Sequence, residues 1–404
     1  MQPRIAVVSF PGNNCEVESM RAVKQAGMDA IFFRWNDDRE KLASVDGYFI
    51  PGGFSYEDRG RSGMVAARDP LMDFIGQEAE RGKVVIGNCN GAQILIESGL
   101  VPLGKHLDMS LARNVVSGKG VGFLSEWVWI MPACSEDRCV TSHWKGAMHL
   151  PIAHGEGRFT TRDKDLLGEL QHNDQIAFRY CNEHAVASED AMVTPNGSLY
   201  AIAGICNEAG NVVALMPHPE RTPAGAPYFA SLRRWIERSK SSRESRASGK
   251  ASSSPMVLQA ASFVPVELFI DTVITNNEER TVEAALRRIE PELSLKQLKY
   301  IPLAGDPGAY LRHIAHFNPN KEVAYIRRGR ILTKWNAALK QEDPSTSSVL
   351  HGSLILRRDE PFEREGDPGL CYVLEGISEQ KMCSSSLLEI LSNPHASTLM
   401  RLAS

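Results

Sequence analysis

At 404 residues the chain is two to three times the length of a typical single domain, so two domains are expected. With 43% hydrophobic and 23% charged residues it holds enough apolar material for real cores, which excludes fibrous, collagen-like and wholly disordered classes. A formal net charge of −4 offers no global basic field to recruit nucleic acid or an anionic membrane.

Met1-Gln2-Pro3-Arg4 runs straight into Ile5-Ala6-Val7-Val8 without a basic, apolar leader, and the expected home is the cytoplasm. Arg4 to Phe10 reads as a buried strand, and Cys15 to Gln25 as a helix stopped by Gly27. Ala30 to Trp35 and Gly47 to Ile50 are short apolar runs bounded by turn residues. Met64 to Glu80 has a helical pattern, and Val84 to Ile86 is another strand. Strands that are apolar throughout and separated by helices imply an α/β domain with a mostly parallel sheet covered on both faces. In such sheets the chemistry gathers at the C-terminal strand ends. Apolar runs such as Val212 to Met216 fall far short of the roughly 20 residues that span a bilayer.

The chain has eight cysteines and no C-x-x-C pair, so most are expected as free, packed thiols. Cys89 is different. Gly87-Asn88-Cys89-Asn90-Gly91 follows the Val84 strand and leads into a helix, and small residues two before and two after a nucleophile suit a sharp elbow. The helix start favours thiolate at such a site, although a buried cysteine after a strand is the commoner arrangement. Downstream, the strand Val212 to Met216 is followed by Pro217-His218-Pro219-Glu220. Pro219 pushes His218 toward extended backbone, where residues two apart face one side, so His218 and Glu220 are expected to share a site. A carboxylate orienting an imidazole that reaches a thiol is the triad arrangement. Pro51-Gly52-Gly53-Phe54-Ser55-Tyr56 ends another strand, and the backbone N–H groups of Gly53 and Asn90 are the candidate oxyanion hole. Acyl transfer through a thioester uses all three parts.

These residues resemble the class I (triad-type) glutamine amidotransferases, whose domain is flavodoxin-like. More narrowly, they are similar to the family of glutaminase subunits of phosphoribosylformylglycinamidine synthase, in purine biosynthesis. The resemblance runs over about residues 3–238. It is carried by Phe10-Pro11-Gly12-Asn13-Asn14-Cys15-Glu16, Pro51 to Asp58, Gly87 to Leu95, Pro151 to Phe159, Thr194 to Ser198, Ile202 to Asn207 and Met216 to Arg221. It implies Cys89 as nucleophile, His218 as base and Glu220 as orienter, with Gln93, His154 and Glu156 near bound L-glutamine. Glu57-Asp58-Arg59-Gly60-Arg61 departs from the family's Gly-Asp-Tyr-Leu-Arg run, and Cys15 is read as packing. The resemblance also implies a separate synthetase subunit that uses ATP and magnesium, together with a small third subunit in bacterial versions. This chain shows no phosphate-binding Gly-Lys-[Ser/Thr] loop and no magnesium carboxylate cluster, so no cofactor or metal is expected in it. A glutaminase feeding another pathway, such as pyridoxal phosphate synthesis, and a non-catalytic scaffold on the same fold are the alternatives.

The run from Ser239 to Pro255 is small, polar and charged, and a flexible linker is expected over 239–262 between a glutaminase domain, 1–238, and a smaller α+β domain, 263–404. Here Val264 to Ile274, Leu298 to Leu303 and Val323 to Ile326 read as strands. Asn276 begins a helix, and Arg328-Gly329-Arg330 turns a hairpin into Ile331. Arg327, Arg328, Arg330 and Lys334 form a basic run, read as a solvated strand face. His313 and His316 lack metal partners at ligand spacing. The stretches 266–270 and 281–287 faintly resemble the small third subunit.

Overall fold

The computed structural model describes residues 2–104, 106–239, 258–345, 347–364 and 366–403. The chain divides into two compact units, Met1–Ser253 and Ser254–Ser404. The expected linker falls, from 240 to 257, outside the described residues.

The first unit is built on a nine-stranded sheet of β1 (Arg4–Ser9), β2 (Asp29–Arg34), β3 (Gly47–Ile50), β4 (Val84–Asn88), β5 (Leu124–Pro132), β6 (Met148–His154), β7 (Phe178–Cys181), β8 (Ile202–Cys206) and β9 (Val212–Leu215). Their order across the sheet is β2-β1-β3-β4-β9-β8-β7-β5-β6. From β2 to β9 every neighbouring pair is parallel, and from β9 to β6 every pair is antiparallel. The parallel half is the one legible as apolar runs. Alternate residues of one strand enter different cores: Ala6, Val8, Tyr48 and Ile50 pack on one face with Leu71, Ile75 and Leu95. Ile5, Val7, Phe49 and Ile86 pack on the other with Val23, Phe229 and Leu232. Burial on both faces is why these strands show no polar alternation.

The helices covering the faces are α1 (Glu16–Gln25), α2 (Pro70–Glu80), α3 (Asn90–Glu97) and α4 (Ala226–Ser239). The Asp69 carboxylate caps α2 by accepting from Leu71 N at 2.9 Å, with Pro70 in the first turn. The expected helix over 64–80 is therefore two, a short turn at Met64–Ala67 and α2, separated at Arg68-Asp69. At the far end of α3, Glu97 receives a two-pronged bond from Arg61, Nε to Oε1 at 2.9 Å and Nη2 to Oε2 at 2.5 Å, with both side chains buried. Arg61→Met should take the paired guanidinium away from the buried Glu97 carboxylate and cost about 3–5 kcal/mol. In a domain of this size that lowers the melting temperature by roughly 10 °C; a change within 2 °C in a thermal melt would refute it.

The second unit carries another nine-stranded sheet. A helix at Asn277–Arg287, capped by the Asn276 side chain on Glu279 N at 3.1 Å, joins the antiparallel strands Val266–Thr272 and Ser294–Leu303. The hairpin at Gly329 forms, with Arg328 opposite Ile331. The basic run is not a shared face. Arg327 is buried against Glu267, with Nε 2.5 Å from Oε2, and Tyr300 donates to the same carboxylate at 3.0 Å. Arg328 makes a paired bond to Glu342 at 2.6 and 2.7 Å. His316 stacks on Tyr310 and lies tilted against His313, with ring centres 4.4 and 4.6 Å apart. Among the described residues, no helix is long and apolar enough to cross a membrane.

Candidate active site

Four loops at the C-terminal ends of β1, β3, β4 and β9 converge. Cys89 sits between β4 and α3 with φ 51° and ψ −109°, a left-handed conformation that a side chain adopts only under constraint. The constraint is visible on both sides. Cys89 N donates to Leu215 O at 2.8 Å, and Gln93 N donates to Cys89 O at 3.1 Å. A Cβ on Gly91 would lie 1.9 Å from Ile50 O, and one on Gly87 would lie 2.5 Å from Gly91 O. The flanking glycines thus allow helix and strand backbones to touch.

His218 follows β9 with φ −108° and ψ 82°, its N–H donating to Pro151 O at 3.0 Å. Its Nδ1 meets Glu220 Oε1 at 2.5 Å, and both side chains are almost fully buried. The two do not meet along an extended strand, as the alternation argument had it. Pro219–Arg221 forms a tight 3-10 turn that folds Glu220 back under the ring. Asn88 Nδ2 donates to the other carboxylate oxygen at 2.8 Å, and Tyr228 OH donates to Asn88 Oδ1 at 3.2 Å. Burial disfavours charge on His218, but the charges of Cys89 and Glu220 outweigh it and hold the imidazole well above its usual pKa. Burial likewise opposes charge on Glu220, and the His218 charge and hydrogen bond overcome it, leaving the carboxyl below its usual range. A Cβ built on Gly52 would sit 2.7 Å from His218 Cε1, 3.1 Å from Cys15 Sγ and 3.4 Å from Cys89 Cβ. Both cysteine side chains and the imidazole therefore border one glycine, and the Cys89 thiol lies 3.6 Å from Ala153 O.

Gly53 has φ +141°, and a Cβ there would fall 2.6 Å from Asn13 Cα. The β1 and β3 loops are locked by Phe54 N donating to Gly12 O at 3.0 Å. Asn90 N, in the first turn of α3, has no carbonyl four residues back within its helix. The Asn90 side chain has a role that sequence reasoning missed. Its Oδ1 accepts from Ser55 N at 3.0 Å and Asn13 Nδ2 at 3.4 Å, and its Nδ2 donates to Gln93 Oε1 at 2.9 Å and Asp58 Oδ1 at 3.2 Å. One amide ties three loops, and an asparagine at the first helical position was the available signal. Gln93 in turn donates to Glu156 O at 2.5 Å, and Glu156 Oε2 accepts from Ser62 N at 3.0 Å. The His154 ring lies buried under Gly157, both nitrogens without hydrogen-bond partners among the described residues. Burial, then the charge of His218, lowers its pKa to about 3, so it is neutral.

The entry to the stretch that departs from the family pattern is conformationally demanding: Tyr56 before it and Glu57 and Asp58 within it have φ of 51°, 58° and 52°. Burial, then the charge of Glu156, pushes Asp58 up to about 7. A carboxyl whose folded pKa exceeds its unfolded value binds more protons when folded, so stability falls as pH rises from about 4 to about 7. Asp58→Asn should flatten that part of a melting-temperature profile; an unchanged slope between pH 5 and 7 would disprove the assignment.

Cys15 is buried, yet it is more than packing. Its Sγ accepts from Arg221 Nη2 at 2.9 Å and lies against the His218–Glu220 pair. Spacing could not have shown this, because the β1 loop reaches β9 only through the sheet order.

A cysteine elbow beside a buried His–Glu pair, at the strand ends of the sheet's parallel half, is the arrangement expected of a glutamine amidotransferase domain, and the family match below places the chain in that class. The family model for the CobB/CobQ-like glutamine amidotransferase domain matches residues 2–241. The subunit PurQ of phosphoribosylformylglycinamidine synthase from Methanothrix thermoacetophila is 41% identical over 59% of this chain and all of that protein. The PurQ subunit from Thermus thermophilus is 38% identical over 58% of this chain and again its full length. A solved structure, PurLQS from Thermotoga maritima, is similar at 33% identity with TM-score 0.47, covering 58% of this chain and all of the matched chain. The chain belongs to the family of PurQ subunits of phosphoribosylformylglycinamidine synthase, within the glutamine amidotransferases.

Proposed function

We propose that the first unit hydrolyses L-glutamine through Cys89, His218 and Glu220, and delivers the ammonia to a separate synthetase that forms formylglycinamidine ribonucleotide in the cytoplasm. The observation that carries this is the convergence of Cys89 and the buried His218–Glu220 pair at Gly52. His218 takes the Cys89 proton, and sulfur attacks the side-chain carbonyl. The tetrahedral oxyanion rests on the N–H groups of Gly53 and Asn90. On collapse the C–N bond breaks, His218 gives its proton to the departing amine, and ammonia leaves a glutamyl thioester. Water, deprotonated by His218, then splits the C–S bond to release glutamate and the thiol. Glu220 holds the imidazole and stabilises its charge. Gln93, His154 and Glu156 line the glutamine site in this reading.

ATP and magnesium act on the synthetase, and this chain supplies no cofactor. In this reading the second unit aids assembly with that synthetase. Glutamate release by the purified full chain should be slow and rise sharply with synthetase and its substrates. No glutamate under either condition would overturn the glutaminase reading and leave a scaffold. Stimulation that survives removal of residues 254–404 would overturn the assembly role.

A further inference from the structure

The residue spacing shows no metal motif, but the fold assembles a donor set within the site. The Cys15 sulfur, a ring nitrogen of His218 and a carboxylate oxygen of Glu220 all lie within 4.8 Å of one another, and all three residues are buried. They come from the β1 and β9 loops, two separate segments held by the sheet. The nitrogen that faces Glu220 is Nδ1, 2.5 Å from Oε1, so a cation shared by those two atoms leaves the opposite nitrogen, Nε2, holding the ring's proton. Sulfur, imidazole and carboxylate together suit a thiophilic d¹⁰ cation such as Zn²⁺, which accepts all three and leaves a fourth position for water. Arg221 donates to the Cys15 sulfur at 2.9 Å, but its Nε also lies 3.3 Å from Glu18. The guanidinium therefore has a second anchor when a cation takes the sulfur.

We propose that Cys15, His218 and Glu220 form an inhibitory Zn²⁺ site that withdraws the imidazole from Cys89. The cation replaces the proton between His218 and Glu220 and leaves the Cys89 thiol in place without its base. The effect on rate rests on the glutaminase reading above. The binding does not, and it is measured separately.

The test is titration of the reduced full chain with Zn²⁺ against a chromophoric chelator, and with Co²⁺ read by its thiolate charge-transfer absorption. Wild type should take up one cation per chain, and glutamate release should fall with the same midpoint and recover on adding chelator. Cys15→Ala, normalised to its own metal-free rate and checked by thermal melt, should shift both midpoints upward at least tenfold. Cys89→Ala should keep the binding and the Co²⁺ absorption. Absence of stoichiometric uptake by wild type would overturn the site. So would an unshifted midpoint in Cys15→Ala, or loss of binding in Cys89→Ala, which would mean that the metal poisons the nucleophile itself. Binding without any fall in glutamate release would overturn the inhibitory role.

Discussion

Cys89→Ala should lower glutamine-dependent turnover by at least about 10⁴-fold, the scale on which covalent nucleophiles act in triads. Synthesis by the synthetase from added ammonia should be unchanged, because only the source of nitrogen is lost. Residual glutamine turnover within a hundredfold of wild type would exclude Cys89 as the nucleophile. Stability offers a second, independent reading of the same position. At φ 51° and ψ −109° a side chain is held at a local cost of about 1–3 kcal/mol, which glycine does not incur. Glycine loses about 0.4–1 kcal/mol through greater freedom when unfolded, so the strain term is larger. Cys89→Gly should therefore melt above Cys89→Ala by a few degrees, at roughly 2–4 °C per kcal/mol. The reverse order would show that the elbow is relaxed. An inactive variant that is more stable than its alanine counterpart is what a strained nucleophile requires.

How much could be read from the chain depended on whether the signal was local. The elbow was legible because Gly87, Cys89 and Gly91 lie within one turn, and each is required by a contact the backbone itself makes. The His218–Glu220 pair was legible too, but its route was misjudged: Pro219 starts a turn rather than extending a strand. In the second unit, Asn276 as a cap and Gly329 as a hairpin corner are likewise local. The antiparallel half of the first sheet was not anticipated, because the half-exposed Trp127 and Glu126 break the apolar run of β5. Long-range partners were invisible. Arg61 with Glu97 and Arg327 with Glu267 are 36 and 60 residues apart, and nothing in composition distinguishes a buried arginine from a solvated one. Cys15 reads as packing in the sequence because its neighbours His218 and Arg221 arrive from the other end of the domain.

A loss of both stability and rate should come from one methyl group. In Gly91→Ala the new Cβ would be 1.9 Å from Ile50 O and 2.8 Å from Ile50 C, where contact needs well over 3 Å. Neither partner can yield by rotating a side chain: Ile50 O is backbone at the end of β3, beside β4, and Ile50 is wholly buried. Helix α3 must shift bodily, carrying Cys89 and the Asn90 amide away from His218 and Gly53. Overpacking with no side chain to relax belongs at or above the upper end of the usual range, about 3 kcal/mol, and a displacement near 1 Å costs about 10² in rate. A fall of roughly 10 °C in melting temperature with a hundredfold loss of glutamate release is expected. Gly168→Ala is the matched control. Gly168 lies in the helix Leu166–His172, and its Cβ would meet nothing within 4 Å. There alanine should stabilise by about 0.5–1 kcal/mol. The same substitution should thus have opposite signs at two helical glycines, and similar melting temperatures for the two variants would show that α3 does not depend on the close contact at Gly91.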